Sequence, residues 1–463
     1  MPALRVMAVR GLFPLGDRLF GQHISGRLDY LRQAQWWSPE KIVETRNQAL
    51  SNLMRIASTE VPFYRELLAG RGLSWQDFKR AEDLRKLPVL GKADLRPAYP
   101  DRLTRPTGQR TYEARSSGST GANFAVREDA ETAGQYRASF MLSLEWAGWR
   151  MGEPHLQMGM TPRETLDRRL KDLFFGCHYE SAQQLSDRNL DRILGVIEAK
   201  KLRNVWGYPV SVYLLARRAA LLGWNQPMRS VVTWGDMLVA RYRRSIEEAF
   251  QVKVTDTYGC GEGFQIAAQC NEGRYHLHAL DCVVELLDEA GEPVGPGEEG
   301  RVVVTRLHPG PMPLIRYNVG DVASRAADSA ACLCGRGFEL LDSIHGRTAD
   351  MVITPSGNRL IVHFFTGTLE HIREIVMFQV VQRSAGHLLV RVVAKPFEQS
   401  LAARIIQALV DQGLNDMHIE VEPVDTIPVS PAGKRKFILS ELSPDTLSPG
   451  AAAVNSGGRP VTL

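Results

Sequence analysis

The residues Ser230-Val231-Val232-Thr233-Trp234 form a short, mostly apolar and β-branched run, which predicts a buried strand. Helical patterns surround this run over 187–200, 210–222 and 241–250, and a second strand pattern covers 252–258. Strands that alternate with helices predict a largely parallel α/β sheet. In such a sheet the loops at the carboxyl ends of the strands are available to a ligand.

The pattern changes on both sides of this region. Towards the N-terminus, 39–72 and 130–149 read as helices, with Ser38 as the N-cap of the first. After residue 275, short strand patterns over 282–287, 300–307 and 314–317 alternate with Gly/Pro turns, so this part is β-rich. Beyond residue 345 a strand–helix–strand pattern over 388–423 predicts a small, separate α+β domain. We therefore expect a large mixed α/β domain over 1–345, a C-terminal domain over 346–442, and a disordered tail over 443–463, rich in Ser, Pro, Gly and Ala.

Composition limits the classes of protein. The chain has 463 residues, 44% hydrophobic and 23% charged, and a net charge of +4 without a basic tract, so we expect no nucleic-acid partner. The chain contains no run of 18 apolar residues, so we expect no transmembrane segment. Arg5, Arg10 and Arg18 interrupt the first twenty residues, which leaves a docking segment or a weak amphipathic membrane contact, and no signal peptide. Six unevenly spaced cysteines without a secretion signal indicate a reducing cytoplasm.

A hydroxyl- and glycine-rich stretch, Ser116-Ser117-Gly118-Ser119-Thr120-Gly121, is a candidate phosphate loop. Glycines let the backbone approach a ligand closely, and successive N–H groups with hydroxyls suit phosphate oxygens. The alternative is a flexible Ser/Gly linker.

Two acidic motifs follow predicted strands. Tyr258-Gly259-Cys260-Gly261-Glu262 would leave an exposed carboxylate at the sheet edge, where Glu262 can help to hold Mg²⁺; the alternative is a tight turn with a solvated Glu. Tyr317-Asn318-Val319-Gly320-Asp321 also ends a predicted strand, and such an acid can accept both hydroxyls of a ribose; the alternative is an Asx-turn.

Two further motifs lie near the C-terminal domain. His345-Gly346-Arg347-Thr348-Ala349-Asp350 lies where the composition changes and is a candidate hinge. Pro431-Ala432-Gly433-Lys434 is a flexible loop whose lysine can neutralise phosphate charge; the alternative is a solvated basic loop.

In this order and spacing the motifs resemble the adenylate-forming superfamily of acyl-CoA synthetases and adenylation domains, over about residues 45–442. The closer resemblance is to the phenylacetate–CoA ligase-like branch, which includes CapK and coenzyme F390 synthetases. The resemblance implies that residues 116–121 bind the ATP phosphates, Glu262 helps to bind Mg²⁺ and Asp321 holds the ribose. It also implies nucleotide contacts from Arg347 and from Gly235, Asp236, Tyr258 and Gly259, and an adenylation lysine at Lys434. A hinge at Asp350 would make the domain over 346–442 a mobile lid. The chain departs from the family pattern at three places: Ala122-Asn123-Phe124 where many relatives have a lysine, Ala432 where Ser is usual, and Gly235-Asp236 where Gly-Glu is frequent.

The activity implied by the resemblance has two half-reactions in one site. A carboxylic acid first attacks the α-phosphate of ATP to form an acyl-adenylate, and CoA then accepts the acyl group. The alternatives are an amine or a carrier protein as acceptor, or a catalytically silent nucleotide-binding protein, and a homodimer is one open oligomeric state. The aromatic residues that flank the motifs could line an acyl or aryl pocket or could simply pack in the core: Trp206, Tyr208, Trp234 and Phe264.

A structural zinc site is the last expectation. Cys332-Leu333-Cys334 is a close thiol pair, and Cys270 precedes it together with two imidazoles, His276 and His278. Three thiolates and one imidazole make a closed tetrahedral zinc site; the alternative is plain buried thiols. The resemblance extends to a Cys…His…Cys-x-Cys pattern in several relatives, whose spacing favours His276 as the fourth ligand.

Overall fold

The computed structural model describes residues 2–116, 124–159, 165–182, 185–327, 331–347, 351–356, 359–369, 371–428 and 436–442. Two compact units divide the chain, Met1–Ile344 and His345–Leu463. The boundary predicted after residue 345 lies one residue beyond the observed one. The predicted tail, 443–463, lies outside the described residues.

Helices cover much of the first unit. Its described α-helices are α1 (Pro2–Leu19), α2 (Ile24–Ala34), α3 (Pro39–Glu60), α4 (Pro62–Ala69), α5 (Lys92–Leu95), α6 (Ala130–Trp146), α7 (Leu166–Phe175), α8 (Asp187–Lys200), α9 (Pro209–Leu221) and α10 (Ala240–Phe250). The single helix predicted over 39–72 is two helices, because Pro62 disfavours the helical conformation at Val61, which is extended. Among the described helices, none combines the length and the apolar character needed to cross a membrane.

The strands of the first unit form a hairpin and one large sheet. They are β1 (Thr111–Ser116), β2 (Phe124–Asp129), β3 (His155–Gly159), β4 (Cys177–Ser181), β5 (Asn204–Gly207), β6 (Ser230–Trp234), β7 (Val254–Cys260), β8 (Phe264–Gln269), β9 (Tyr275–Leu277), β10 (Cys282–Leu287), β11 (Glu299–Arg306), β12 (Tyr317–Arg325) and β13 (Leu340–Arg347). β1 and β2 pair with each other, and the sheet has the strand order β10-β11-β12-β13-β9-β8-β7-β6-β5-β3-β4.

The centre of the sheet is the predicted parallel region. Strands β3 to β7 pair in parallel, with α8, α9 and α10 as the connections, and Val231 and Val232 of β6 are fully buried. Burial on both faces is typical of parallel strands. Strands β8 to β12 pair in antiparallel fashion where their partners are described, so the sheet is mixed.

One predicted strand, over 314–317, is wrong. Strand β12 begins only at Tyr317, because Arg316 has a φ of 52°, which is outside the strand region. The Arg316 guanidinium lies 3.0 Å from the Glu285 carboxylate, and this buried ion pair helps to hold the chain in that conformation.

The second unit is a small α+β fold. Its described elements are β14 (Met351–Ile353), β15 (Arg359–Ile361), α11 (Val362–Leu369), β16 (Ile375–Ser384), β17 (His387–Ala394), α12 (Gln399–Asp411), β18 (His418–Pro423) and β19 (Ile438–Ser440). Four strands form a sheet in the order β18-β17-β16-β19. In α12 the apolar residues Leu401, Ile405 and Leu409 recur every fourth position and are buried. The predicted fold class, a large mixed α/β unit with a small α+β unit, is confirmed.

Candidate functional site

Glu262 lies at the turn between β7 and β8 and is only 4% exposed. The Lys92 ammonium at the start of α5 is 3.0 Å from Glu262 Oε1, and the Tyr317 hydroxyl donates a 2.9 Å hydrogen bond to the same oxygen. Our expectation of an exposed carboxylate was therefore wrong: neighbouring β12 and α5 cover it. Burial opposes ionisation of Glu262. The positive charge of Lys92, and then the hydrogen bonds from Lys92 and Tyr317, nevertheless hold the pKa of this carboxyl below its ordinary value. Glu262 is thus a carboxylate at neutral pH and can hold a cation.

Asp321, the second predicted acid, is held in a matching way. It lies within β12 and not at a strand end as predicted, and it is 9% exposed. The Tyr258 hydroxyl, on β7, donates a 2.7 Å hydrogen bond to Asp321 Oδ2. Each of the two predicted motifs therefore supplies a tyrosine to the acid of the other.

The Ser/Gly stretch begins where β1 ends. Ser116 pairs with Phe124 at the loop end of the β1–β2 hairpin, so the two ends of the segment that connects the strands are adjacent. The Phe124 ring stacks on Tyr317, with 6.2 Å between the ring centroids. The base of the stretch is thereby anchored on the tyrosine that binds Glu262. Residues 117–121 and the Ser116 side chain lie outside the described residues.

Tyr208 and Gly235 meet at the carboxyl ends of β5 and β6. Gly235 has a φ of 76°, and a Cβ at this position would lie 2.9 Å from Cε1 of Tyr208, so a side chain here would displace the ring. Burial, and then the negative charge of Asp236, raises the pKa of Tyr208. Trp234 packs edge-on against Phe140 at 5.6 Å and is partly exposed. Tyr208 and Trp234 are therefore placed where a ligand at the strand ends can meet them.

The other two predicted pocket aromatics lie deeper. Trp206 is buried, stacking on His155 with 3.7 Å between the ring centroids and meeting Trp149 edge-on. Phe264 is 3% exposed and lies under the Arg306 guanidinium at 5.6 Å. The position of Trp206 favours the core-packing interpretation.

A cavity of about 250 Å³ lies next to the turn that carries Glu262. Its wall includes Gly263, Phe264, Tyr136 and Arg306. Arg306 is buried, and its Nε and Nη1 have no hydrogen-bond partner among the residues that the structure describes; Nη1 is 4.0 Å from the carboxylate of Glu128. Sequence reasoning missed this arginine, because its burial depends on residues distant in the chain, among them Glu128 of β2 and Phe264 of β8. The cavity can accept a group that brings an oxygen acceptor to Arg306.

The four predicted zinc ligands come together. The Sγ atoms of Cys270, Cys332 and Cys334 and a ring nitrogen of His276 all lie within 4.8 Å of one another. Cys270 Sγ is 3.7 Å from Cys332 Sγ, and Cys334 Sγ is 3.3 Å from His276 Nε2. Two thiolates on one tetrahedral zinc are about 3.8 Å apart, since each Zn–S bond is about 2.3 Å. The donor set and spacing fit zinc.

His276, and not His278, faces the thiols. His276 Nδ1 is 3.2 Å from the carbonyl oxygen of Phe338, which orients Nε2 towards Cys334, and burial lowers its pKa to about 4, so the ring is neutral. His278 instead meets the Ser143 hydroxyl at 3.0 Å. The structure thus separates the two alternatives that the sequence left open.

The thiols differ in acidity. Burial raises the pKa of the Cys332 thiol to about 12. Burial also opposes ionisation of Cys334, but the backbone N–H and the side chain of Arg336 lower the pKa of that thiol below its ordinary value. A metal would therefore displace a proton from Cys332, whereas Arg336 already favours the thiolate of Cys334.

The remaining predicted residues lie outside the part of the chain that the structure describes. Asp350 and Lys434 are not among the described residues, and for Arg347, the last residue of β13, only the backbone is described. Their roles stay predictions. Lys92 is the functional residue that sequence reasoning missed near Glu262; its only signal was the Gly91-Lys92 dipeptide at the start of a short helix.

Both units of the chain are similar to known proteins. Residues 352–441 match the model of the CapK C-terminal domain. The chain is 27% identical over 446 residues to a phenylacetate-coenzyme A ligase of Thermus thermophilus, covering 91% of this chain and 95% of the relative. It is 20% identical over 415 residues to the protein CapK of Staphylococcus aureus, covering 87% and 90%.

Solved structures show the same fold. A 2-hydroxyisobutyryl-CoA ligase in the postadenylation state, in complex with 2-HIB-AMP, superposes with a TM-score of 0.68 at 19% identity, covering 90% of this chain and 92% of that one. An amide bond synthetase from Marinactinospora thermotolerans superposes with a TM-score of 0.51 at 20% identity, covering 68% of this chain and 66% of that one.

Proposed function

Because the chain belongs to the adenylate-forming superfamily, in the branch of the phenylacetate–CoA ligases and CapK, we propose that it activates a carboxylic acid with ATP and passes the acyl group to CoA. In the first half-reaction a carboxylate oxygen bonds to the α-phosphorus of ATP, and the bond to pyrophosphate breaks. In the second half-reaction the thiol of CoA bonds to the acyl carbon, loses its proton, and AMP leaves. The observation that carries this proposal is the reciprocal pair of tyrosine–carboxylate hydrogen bonds, which holds Glu262 and Asp321 beside the Ser/Gly hairpin.

The residues near Glu262 suit the first half-reaction. We assign Glu262 to a magnesium ion, which would neutralise charge on the phosphates of ATP when bound. Lys92, 3.0 Å from Glu262, brings a further positive charge to the same place. Since residues 122–124 lack the lysine that many relatives have after the phosphate stretch, Lys92 supplies an alternative cation. Catalysis here consists of positioning and electrostatic stabilisation of charge.

We place the binding sites of the nucleotide and of the carboxylic acid near the turn that carries Glu262. We assign Asp321 to the ribose hydroxyls and the region of Tyr208, Gly235 and Asp236 to the rest of the nucleoside, as expected from the sequence. The cavity of about 250 Å³ beside Gly263 is the proposed acyl pocket, because it lies directly behind the Glu262 turn. Lys434 is proposed to approach the α-phosphate during adenylation, and Asp350 to act as the hinge.

The Cys/His cluster is proposed to hold a structural zinc ion that joins the β8–β9 turn to the loop before β13. Thiolate ligands stay reduced in the cytoplasm, which is where we place the enzyme.

The acceptor of the acyl group is proposed from the relatives. CoA is proposed because the named relatives with the higher identities are CoA ligases; an amine is the second candidate, since the fold likeness extends to an amide bond synthetase.

One experiment tests both steps. Pyrophosphate release is measured across a panel of carboxylic acids, with CoA, with an amine or with neither, and hydroxylamine is added to trap an acyl-adenylate. We expect acid-dependent pyrophosphate release and hydroxamate formation, and a thioester product only with CoA. Absence of pyrophosphate release with every acid in the panel, under conditions where ATP binds, would support the catalytically silent alternative. An amide product without any thioester would assign the amine as acceptor.

A further inference from the structure

The N-terminal helix α1 presents an apolar face to solvent. Leu12, Leu15 and Leu19 are 57%, 63% and 85% exposed, and at spacings of three and four they share one face of the helix. Val9 and Asp17, on another side of the helix, are buried. The described leucines of α1 therefore point away from the side of the helix that packs against the protein.

Helix α7 also exposes leucines to solvent. Leu166, Leu170 and Leu173 are 72%, 57% and 68% exposed, and they also share one helix face. The Phe175 ring at the end of α7 meets the Phe13 ring of α1 edge-on at 5.5 Å, so the two helices are direct neighbours. Exposed leucines that are scattered singly over a surface are ordinary. Six exposed leucines on two neighbouring helices instead indicate an interaction site.

The exposed charged residues of the two helices are mostly cations. Arg18 on α1 and Arg169 on α7 flank the leucines, since each lies three or four positions from one of them. Arg10, Arg168 and Lys171 are exposed on other sides of the same helices. Among the described carboxylates on the two helices, Asp17 is 6% exposed and its oxygens accept hydrogen bonds from the N–H groups of Ile24 and Ser25, and Asp172 is half-buried. We name the exposed leucines of α1 and α7, with Arg18 and Arg169 beside them, the apolar–basic face.

We propose that the apolar–basic face binds the surface of a membrane that carries anionic lipid headgroups. Leucines that insert at the level of the headgroups, with arginines and lysines beside them, are the features of a helix that lies in the membrane interface. A two-fold dimer through this face would place its cations against the same cations of the second copy, which disfavours a second copy as the occupant. The inference rests on the first unit alone and does not depend on the proposed reaction.

Vesicle sedimentation with the full chain tests the inference. Large unilamellar vesicles of phosphatidylcholine with an equal amount of phosphatidylglycerol are compared with vesicles of phosphatidylcholine alone. We expect binding to the anionic vesicles, weaker binding to the neutral ones, and weakening by salt, because salt screens the arginines and lysines. The triple variant Leu12→Gln, Leu15→Gln, Leu19→Gln should lower the partition coefficient at least about tenfold.

A matched control uses leucines that are equally exposed elsewhere. Leu221 and Leu222 at the end of α9 are 70% and 53% exposed, and Leu221→Gln, Leu222→Gln should leave vesicle binding unchanged. Circular dichroism melting of each variant checks that folding is intact. Absence of binding to anionic vesicles would overturn the proposal. So would light scattering that shows a dimer which the triple variant converts to a monomer while vesicle binding stays the same.

Discussion

The Tyr317 hydroxyl donates a hydrogen bond of 2.9 Å to Glu262, a residue 55 positions earlier in the chain. Tyr258, four residues before Glu262, donates in return to Asp321, four residues after Tyr317. Two Tyr-x-x-x-acid motifs, one at the end of β7 and one on β12, are therefore joined by two reciprocal hydrogen bonds. Neither carboxylate can move without breaking a bond to the other motif. This arrangement orients both acids before a ligand arrives, which is how preorganised sites stabilise developing charge.

Tyr317→Phe should slow adenylation. The variant removes the hydroxyl from Glu262 but keeps the ring that stacks on Phe124, so folding should be retained. A hydrogen bond to a charged group contributes about 1.5–3 kcal/mol, so we expect the rate of acid-dependent pyrophosphate exchange to fall about tenfold or more. The pKa of Glu262 should also rise towards its ordinary value, and the acid limb of the rate profile should move to higher pH. Tyr258→Phe is the matched control, since it releases Asp321 and should raise the KM for ATP without moving the acid limb. An unchanged rate and profile in Tyr317→Phe would contradict the assignment of Glu262.

Lys92→Met should impair the first half-reaction more than the second. The substitution removes the cation 3.0 Å from Glu262 and keeps a side chain of similar length. We expect pyrophosphate exchange to fall on the order of a hundredfold, because one charged group in a site typically contributes that much. Acyl transfer from supplied acyl-adenylate should change little. Lys86→Met is the control, because Lys86 pairs with Asp83, three residues before it, and its side chain is exposed. Equal losses in the two half-reactions would show that Lys92 serves the fold and not the phosphates.

Zinc should be found in the purified protein, at one ion per chain, by elemental analysis. Cys334→Ser should lose the metal and lower the melting temperature, since the cluster joins two loops of the first unit. Cys177→Ser, on β4 and outside the cluster, should retain both the metal and the melting temperature. A protein that contains no zinc and melts at the same temperature with and without a chelator would favour the plain-thiol alternative.

Local patterns predicted much of the fold. The helix over 187–200 and the strands over 230–234, 282–287 and 418–423 have the predicted bounds, because hydrophobic periodicity and turn residues determine them locally. The members of the metal cluster were also predicted, since thiols are rare in this chain. Burial of Glu262 and the contact with Lys92 were not predictable, because they depend on which distant strands become neighbours. The outward leucines of α7 were missed for the same reason: periodicity shows an apolar face but not where it points.

Lys434→Ala should separate the two half-reactions. The sequence places this lysine on the Gly-Lys loop, outside the described residues, and its role as the adenylation lysine stays a prediction. We expect acid-dependent pyrophosphate exchange to fall on the order of a thousandfold, since a positioned cation at the α-phosphate is removed. Transfer from supplied acyl-adenylate to CoA should persist. Lys436→Ala, two residues further along, is the control and should retain exchange. Adenylation by Lys434→Ala at the wild-type rate would refute the role.

Asp256 should make the stability of the first unit depend on pH. This carboxyl on β7 is buried, with hydrogen bonds from Thr233 and from the Tyr275 hydroxyl at 2.6 Å, and burial raises its pKa to about 6. Between about pH 4 and pH 6 the folded protein keeps a proton on Asp256 that the unfolded chain has released, so the contribution of Asp256 to the free energy of unfolding should fall by about 3 kcal/mol as the pH rises through this window. Above this window both states are ionised and the loss is complete. Urea unfolding at a series of pH values measures the slope, and Asp256→Asn should flatten it, whereas Asp191→Asn, on the exposed face of α8, should leave it unchanged. A free energy of unfolding that rises between pH 4 and pH 6 in the wild-type protein, with the same slope in Asp256→Asn, would show that Asp256 is ionised throughout, with Thr233 and Tyr275 stabilising the carboxylate.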